Sequence, residues 1–287
     1  AALCIGVAFL TRPIGLFLPI IVGPAIWWLR RTSARRASLL AAGAFILVGM
    51  LFPAGWTARN YFVAGLAQPT SLIAINGYYY RAAPLQARTQ GISVNDEQSA
   101  LSTAPGIQAS RTGEENSAEL RTMEQRAIQI ILSNPVSYAE INALGTARML
   151  GPDRDILARL SAAERMSTTP PSSVAEFITT TTRHGPETTG VVLGVEVAQL
   201  VALYSLAVIG ILIGWHDESR RAPIALLVML IFYFLVISGP EAYPRFRVPM
   251  MPFVCILAAL GAQACGRYLA ARSILAETDP GARREQA

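Results

Sequence analysis

The amino-acid sequence predicts an all-α fold, a polytopic transmembrane helix bundle that carries one large, partly helical extracytoplasmic loop. Three observations predict it. Hydrophobic residues make up 52% of the chain and charged residues only 15%, with a mean hydropathy of +0.39, far from the balance of a water-soluble domain. The apolar residues gather into runs at 13–29, 37–56, 190–214, 222–238 and 249–265, each long enough to cross a hydrocarbon layer of ~30 Å as a helix. The charge is segregated as well. Residues 1–95 contain no Asp or Glu, and most acidic residues lie between Asp96 and Glu187.

In lipid a chain must satisfy its own backbone hydrogen bonds, so each apolar run is read as a helix. The first, residues 1–10 (AALCIGVAFL), is only half a span. It has no charged leader and no cleavage site, so it is not a signal peptide, and the expectation is the end of a helix that begins upstream. The chain is then a C-terminal portion of a longer protein. Residues 1–56 hold this truncated helix and two complete ones, 57–189 form the extracytoplasmic loop, 190–266 hold three more helices, and 267–287 form a cytoplasmic tail. Pro19, Pro24, Pro53 and Pro252 fall inside runs, where they kink a membrane helix rather than end it.

Orientation follows from the basic residues. All 24 are Arg, giving a net charge of +5. They flank apolar runs instead of forming a soluble basic patch, which argues for membrane topology and against nucleic acid. Arg30, Arg31, Arg35, Arg36, Arg220, Arg221, Arg267, Arg272, Arg283 and Arg284 lie on one side. Arg12, Arg59, Arg183, Arg245 and Arg247 lie near helix ends on the other. The richer side is cytoplasmic by the positive-inside rule, which places the loop outside; the absence of Lys beside abundant Ala, Arg and Gly fits a GC-rich bacterial genome, and the expected location is a bacterial inner membrane. Trp27, Trp28, Trp56 and Trp215 fall at the interfaces, where amphipathic rings accumulate.

A loop of this length is functional or separately structured. Asn116 with Glu119 reads as an N-cap with its capping-box partner, opening a helix over about 116–133 whose apolar stripe is Leu120, Met123, Ala127, Ile130 and Ile131. Asn134-Pro135 ends it, and a second helix covers about 136–150. The pair is either a cap packed on itself or a helical hairpin lying on the membrane surface. Segments 82–113 and 166–190, rich in Ser, Thr, Gly, Gln and Pro, read as irregular linkers.

No phosphate-binding loop, dinucleotide fingerprint, paired-Cys zinc spacing or Gly-x-Ser-x-Gly elbow occurs. Cys4, Cys255 and Cys265 sit in apolar runs and form no readable disulfide framework, and two isolated histidines, His184 and His216, make no metal site. No cofactor is identified, and a divalent metal stays open. The informative residues are the arginines that oppose the orientation bias. Arg12, in Thr11-Arg12-Pro13, has no carboxylate nearby in sequence. Its guanidinium suits a phosphate bidentately, or snorkels to lipid headgroups. The turn 238–249 (SGPEAYPRFRVP) carries Glu241, Tyr243, Arg245 and Arg247, either a sugar-phosphate site or a self-neutralising interfacial cluster. Glu196 is the one acid at membrane depth.

The stretches GVAFLTRPIGLFLPI, WTARNYFVAG with the following Ser71 and Asn76-Gly77-Tyr78, AIQIILSNPVSYAE, and EAYPRFRVPMMPFVCILAALG together resemble the GT-C glycosyltransferases that use polyprenyl-phosphate-linked sugars, the protein O-mannosyltransferases and lipid A aminoarabinose transferases. They cover about a third of the chain, in order. The resemblance implies transfer of a sugar from a polyprenyl-phosphate donor to a hydroxyl of a glycan, lipid or protein acceptor. It implies that Arg12, with Arg245 or Arg247, meets the lipid phosphate; Arg59, Glu241 and Tyr243 are further candidates for holding donor phosphate or sugar. It also implies that the catalytic carboxylate lies upstream of Ala1. Two other classes share these features, an O-antigen polymerase-like protein and a flippase or transporter of lipid-linked sugars.

Overall fold

The computed structural model describes residues 1–30, 35–107, 117–152, 187–240 and 243–278. These residues are helical almost throughout, with no strand among them. In chain order they form α1 (Ala2–Thr11), a 3-10 turn (Pro13–Gly15), α2 (Leu18–Arg30), α3 (Arg35–Ala64), α4 (Leu72–Gly77), a π-helical turn (Tyr78–Ala82), α5 (Ala83–Gln90), α6 (Val94–Ser102), α7 (Ser117–Ser133), α8 (Pro135–Leu150), α9 (Glu187–His216), α10 (Glu218–Ser238), a 3-10 helix (Pro244–Met250) and α11 (Met251–Thr278). Four of these helical segments are long and apolar enough to cross a membrane: Arg35–Ala64, Leu193–His216, Glu218–Ser238 and Pro244–Arg272. Ala2–Thr11 and Pro13–Leu29 are apolar but shorter.

The expected span at 13–29 is therefore broken. Pro13 has no amide proton to continue α1, the chain turns, and only the 13 residues of α2 remain regular. α1 and α2 both lie along α3. A side chain at Gly6 would collide with Phe52, and one at Gly49 would meet Pro19 at 2.7 Å and the Ala2 carbonyl oxygen at 3.9 Å; Gly23 abuts Ile46 and the Ala42 carbonyl. The pairings rise together along α1 and α3 and run opposite along α2 and α3. α1 is thus parallel to α3 and α2 antiparallel to it.

The tightest packing joins α9 to the chain of Pro244–Met250 and α11. Glu196 pairs with Arg247, 51 residues away. The same spacing recurs where Gly210 meets Gly261, the Leu257 carbonyl lying over Gly210 and the Leu206 carbonyl over Gly261. A constant offset means two parallel helices, with α10 as the return between them. Small residues at the crossing let the backbones touch, which is how helices associate where lipid removes the hydrophobic drive. Around it Ala207, Ile224, Val254, Leu257 and Ala258 form a buried cluster.

The residues between α3 and α9 are more ordered than the composition of 82–113 suggests. The expected linker contains α5 and α6: Gly91 ends α5 in the left-handed conformation at φ +71°, and the Ser93 hydroxyl caps α6 by accepting from the Asp96 amide at 3.1 Å. Residues 108–113, and 166–186 of the second expected linker, lie outside the described residues, and 187–190 belong to α9. α7 and α8 occupy nearly the expected ranges, though Asn116 is outside the described residues. Leu120, Met123 and Ala127 are buried against Ala74, Tyr78, Ala82, Ala83, Leu101 and Ile107. α7 therefore spends its stripe on its own subdomain. α8 instead leans on the bundle: a methyl added at Gly145 would lie 2.6 Å from both the Gly239 and Pro240 carbonyl oxygens, and Met149 is fully buried beside Tyr233, Phe234 and Met250.

Candidate functional site

Arg12 terminates α1. Its backbone is extended, φ −144° and ψ 114°, as a residue before proline is driven to be, and the Thr11 hydroxyl donates back to the Ala8 carbonyl at 2.7 Å. The Arg12 side chain is exposed and has no hydrogen bond or ion pair among the described residues. Because α1 runs parallel to α3 with Gly6 against Phe52, continuing at the same rise per residue puts Arg12 abreast of Trp56–Arg59. The following turn is pinned to α10, where the Tyr233 hydroxyl donates to the Ile14 carbonyl.

The 3-10 helix Pro244–Met250 borders the same cluster: Phe246, Ile14, Leu18 and Tyr233 all pack in it. Its two arginines have different surroundings. Arg247 is ion-paired, and its partner comes from outside its own turn. One guanidinium nitrogen reaches Glu196 Oε1 at 3.1 Å, the other donates to the Gly151 carbonyl just past the end of α8, and the two side chains are only 16% and 24% exposed. Arg247 thus ties α8 and α9 to the start of α11, and Glu196 is what compensates its charge. Arg245 is exposed, its guanidinium carbon 5.3 Å from the ring centres of both Tyr243 and Phe246. It rests on aromatic faces, a favourable seat for a cation, and has no ion pair among the described residues. Tyr243 is itself exposed. Glu241 lies outside the described residues.

Arg59 stands over the Trp56 ring at 5.0 Å and donates to Asn60 Oδ1 at 3.1 Å. Asn60 Nδ2 in turn donates to the Gln68 and Pro69 carbonyls, both at 3.1 Å, fastening the segment after α3 back onto its end. α3 itself runs eight residues past the apolar stretch expected at 37–56, since Arg59 and Asn60 are satisfied within its last turns.

One arginine was missed by sequence reasoning. Arg81, in the π-helical turn, donates to the Tyr138 hydroxyl at 3.1 Å and to the Ile237 carbonyl at 2.5 Å, and packs against Gly239. It stitches α8 and the last turn of α10 to the subdomain, supplying a donor to a carbonyl left open at a helix end. A lone Arg in a Tyr-rich helical stretch gives no sequence signal for partners so distant.

Among the described residues no group of three or more His, Cys, Asp or Glu comes together as a metal site. Neither a family model, nor a curated protein, nor a solved structure matches the chain.

Proposed function

We propose that the protein is a membrane glycosyltransferase of the GT-C kind, moving a sugar from a polyprenyl-phosphate carrier to an acceptor hydroxyl at the extracytoplasmic face of a bacterial inner membrane. The observation that carries this reading is Arg12, an exposed guanidinium with no protein partner among the described residues, flanked by apolar helices in a stretch of 95 residues that contains no carboxylate. A cation at the edge of the hydrocarbon calls for an anion, and a lipid phosphate is the anion native to that depth. Arg245 is a second exposed cation in the turn that shares a hydrophobic cluster with Ile14. Arg247, held by Glu196, positions that turn.

The acceptor oxygen attacks the anomeric carbon, its proton passes to a general base, and the anomeric carbon–oxygen bond to phosphate breaks, releasing polyprenyl phosphate. Negative charge grows on the departing phosphate, and preorganised guanidinium groups lower that barrier. The test is transfer by the purified full-length protein in vesicles from a polyprenyl-phosphoryl sugar. Replacing Arg12 or Arg245 by Ala is expected to lower the rate by about 100-fold, as loss of one preorganised donor does. Rates and donor affinity unchanged in both variants refute the assignment; uptake of lipid-linked sugar without transfer identifies a transporter instead.

A further inference from the structure

A cleft of about 340 Å³ lies where the end of α3 meets the segment 66–71 and the start of α7, lined by Trp56, Asn60, Thr70, Ser71, Ser117 and Leu120 among others. Its volume is at the lower end for small-molecule sites. The lining is mixed. Trp56, 45% exposed, supplies an indole wall, and Leu120 an apolar floor. Three hydroxyls also line it, those of Thr70, Ser71 and Ser117. Those of Ser71 and Ser117 have no hydrogen bond among the described residues. That of Thr70 accepts from the Leu72 amide at 3.3 Å and keeps its own proton to give. The Asn60 amide cannot bind a ligand in the same way, because both its ends are engaged by Arg59 and by the carbonyls of residues 68 and 69. It holds the wall in place. Among the described residues no Asp or Glu lines the cleft.

We infer that this cleft is a carbohydrate site, seating a single pyranose with its C–H face on Trp56 and its hydroxyls on Ser71, Ser117 and Thr70. A sugar ring presents the same division as the cleft, one apolar face and an equator of hydroxyls that both donate and accept. A phosphate alone would leave the indole and Leu120 unused, and an acyl chain would bury unpaired hydroxyls at a cost of about 1–3 kcal/mol each. The inference deepens the glycosyltransferase reading by adding a sugar cleft that Arg12 does not line, but the chemistry of the cleft stands without it.

Saturation-transfer NMR with methyl glucopyranosides, mannopyranosides and galactopyranosides, both anomers, on the full chain in lipid nanodiscs free of sugar detergents, tests it. At least one glycoside is expected to receive saturation. Its affinity should fall about tenfold, equivalent to ~1.4 kcal/mol, in Trp56→Ala, recover partly in Trp56→Phe, and vanish in Ser71→Leu, which fills the cleft without touching Trp56. Arg12→Ala should bind the glycoside as the native protein does. No saturation of any glycoside, or binding indifferent to both Trp56→Ala and Ser71→Leu, overturns the inference while leaving the phosphate role of Arg12 untouched. Glycoside binding with transfer unaffected by both Arg12→Ala and Arg245→Ala refutes the catalytic reading alone.

Discussion

Replacing Gly210 by Ala probes the parallel pairing of α9 with α11. A methyl at that position would overlap the Leu257 carbonyl oxygen and lie 3.0 Å from the Gly261 nitrogen, and these are backbone atoms that cannot swing away. The helices must part by roughly 1 Å, and a gap of that size forfeits a quarter to a half of the dispersion energy of the atoms facing it. Overpacking of a close-fitted interface costs about 1–3 kcal/mol, and that is the loss expected for Gly210→Ala and, by the symmetry of the crossing, for Gly261→Ala. The double variant should lose clearly less than the sum, since the first methyl already separates the helices that the second would separate. Gly43, in α3, faces open space, with no atom within 4 Å of where a methyl would stand, so Gly43→Ala should be neutral or stabilise by about 0.5–1 kcal/mol through backbone entropy. Denaturant titration of the purified protein in micelles, followed by tryptophan fluorescence, measures all four. Losses below ~0.5 kcal/mol in both single variants, or strict additivity in the double, refute the close crossing.

Two other outcomes follow from the charged groups. Glu196→Ala leaves the guanidinium of Arg247 half-buried without its carboxylate, and because the pair keeps 16% and 24% exposure the cost should be about 1–3 kcal/mol, below that of a fully buried pair; replacing both by Leu and Met should restore most of it, as the same titration will show. Burial pushes the Glu97 carboxyl above its ordinary 4.5, so the folded state holds this proton more tightly than the unfolded chain does. Its contribution is intact below about pH 4.5 and is lost as pH rises through the raised value; the protection of α6 amides, taken relative to their base-catalysed unfolded-chain exchange at each pH, should therefore fall from acid to neutral pH in the native protein, and Glu97→Gln should flatten that fall.

The bundle is legible in the sequence because its helices are written in long apolar runs, and the α7 stripe because Leu120, Met123 and Ala127 recur at helical spacing. What escaped has a common cause. α3 continues to Ala64 because Asn60 finds the carbonyls of residues 68 and 69, and α5 and α6 form in a polar segment because Gly91 and Ser93 supply their end groups; local composition hides both. The distinction between Arg245 and Arg247 is invisible from a turn in which the two lie a residue apart. It is made by Glu196 and Gly151, contributed by α9 and by the end of α8, and no spacing rule links residues so far apart in the chain.

The parallel alignment of α9 with α11 has a bearing on biogenesis. Chains enter the membrane from the amino end, so α9 and α10 are in place before their neighbour arrives. Until then the notch at Gly210 lacks the Leu257 carbonyl and Gly261 that fill it, and Glu196 lacks Arg247. Insertion of the chain from Pro244 onward fills the notch and brings Arg247 to Glu196, so the three-helix unit of α9, α10 and α11 closes on its last described segment.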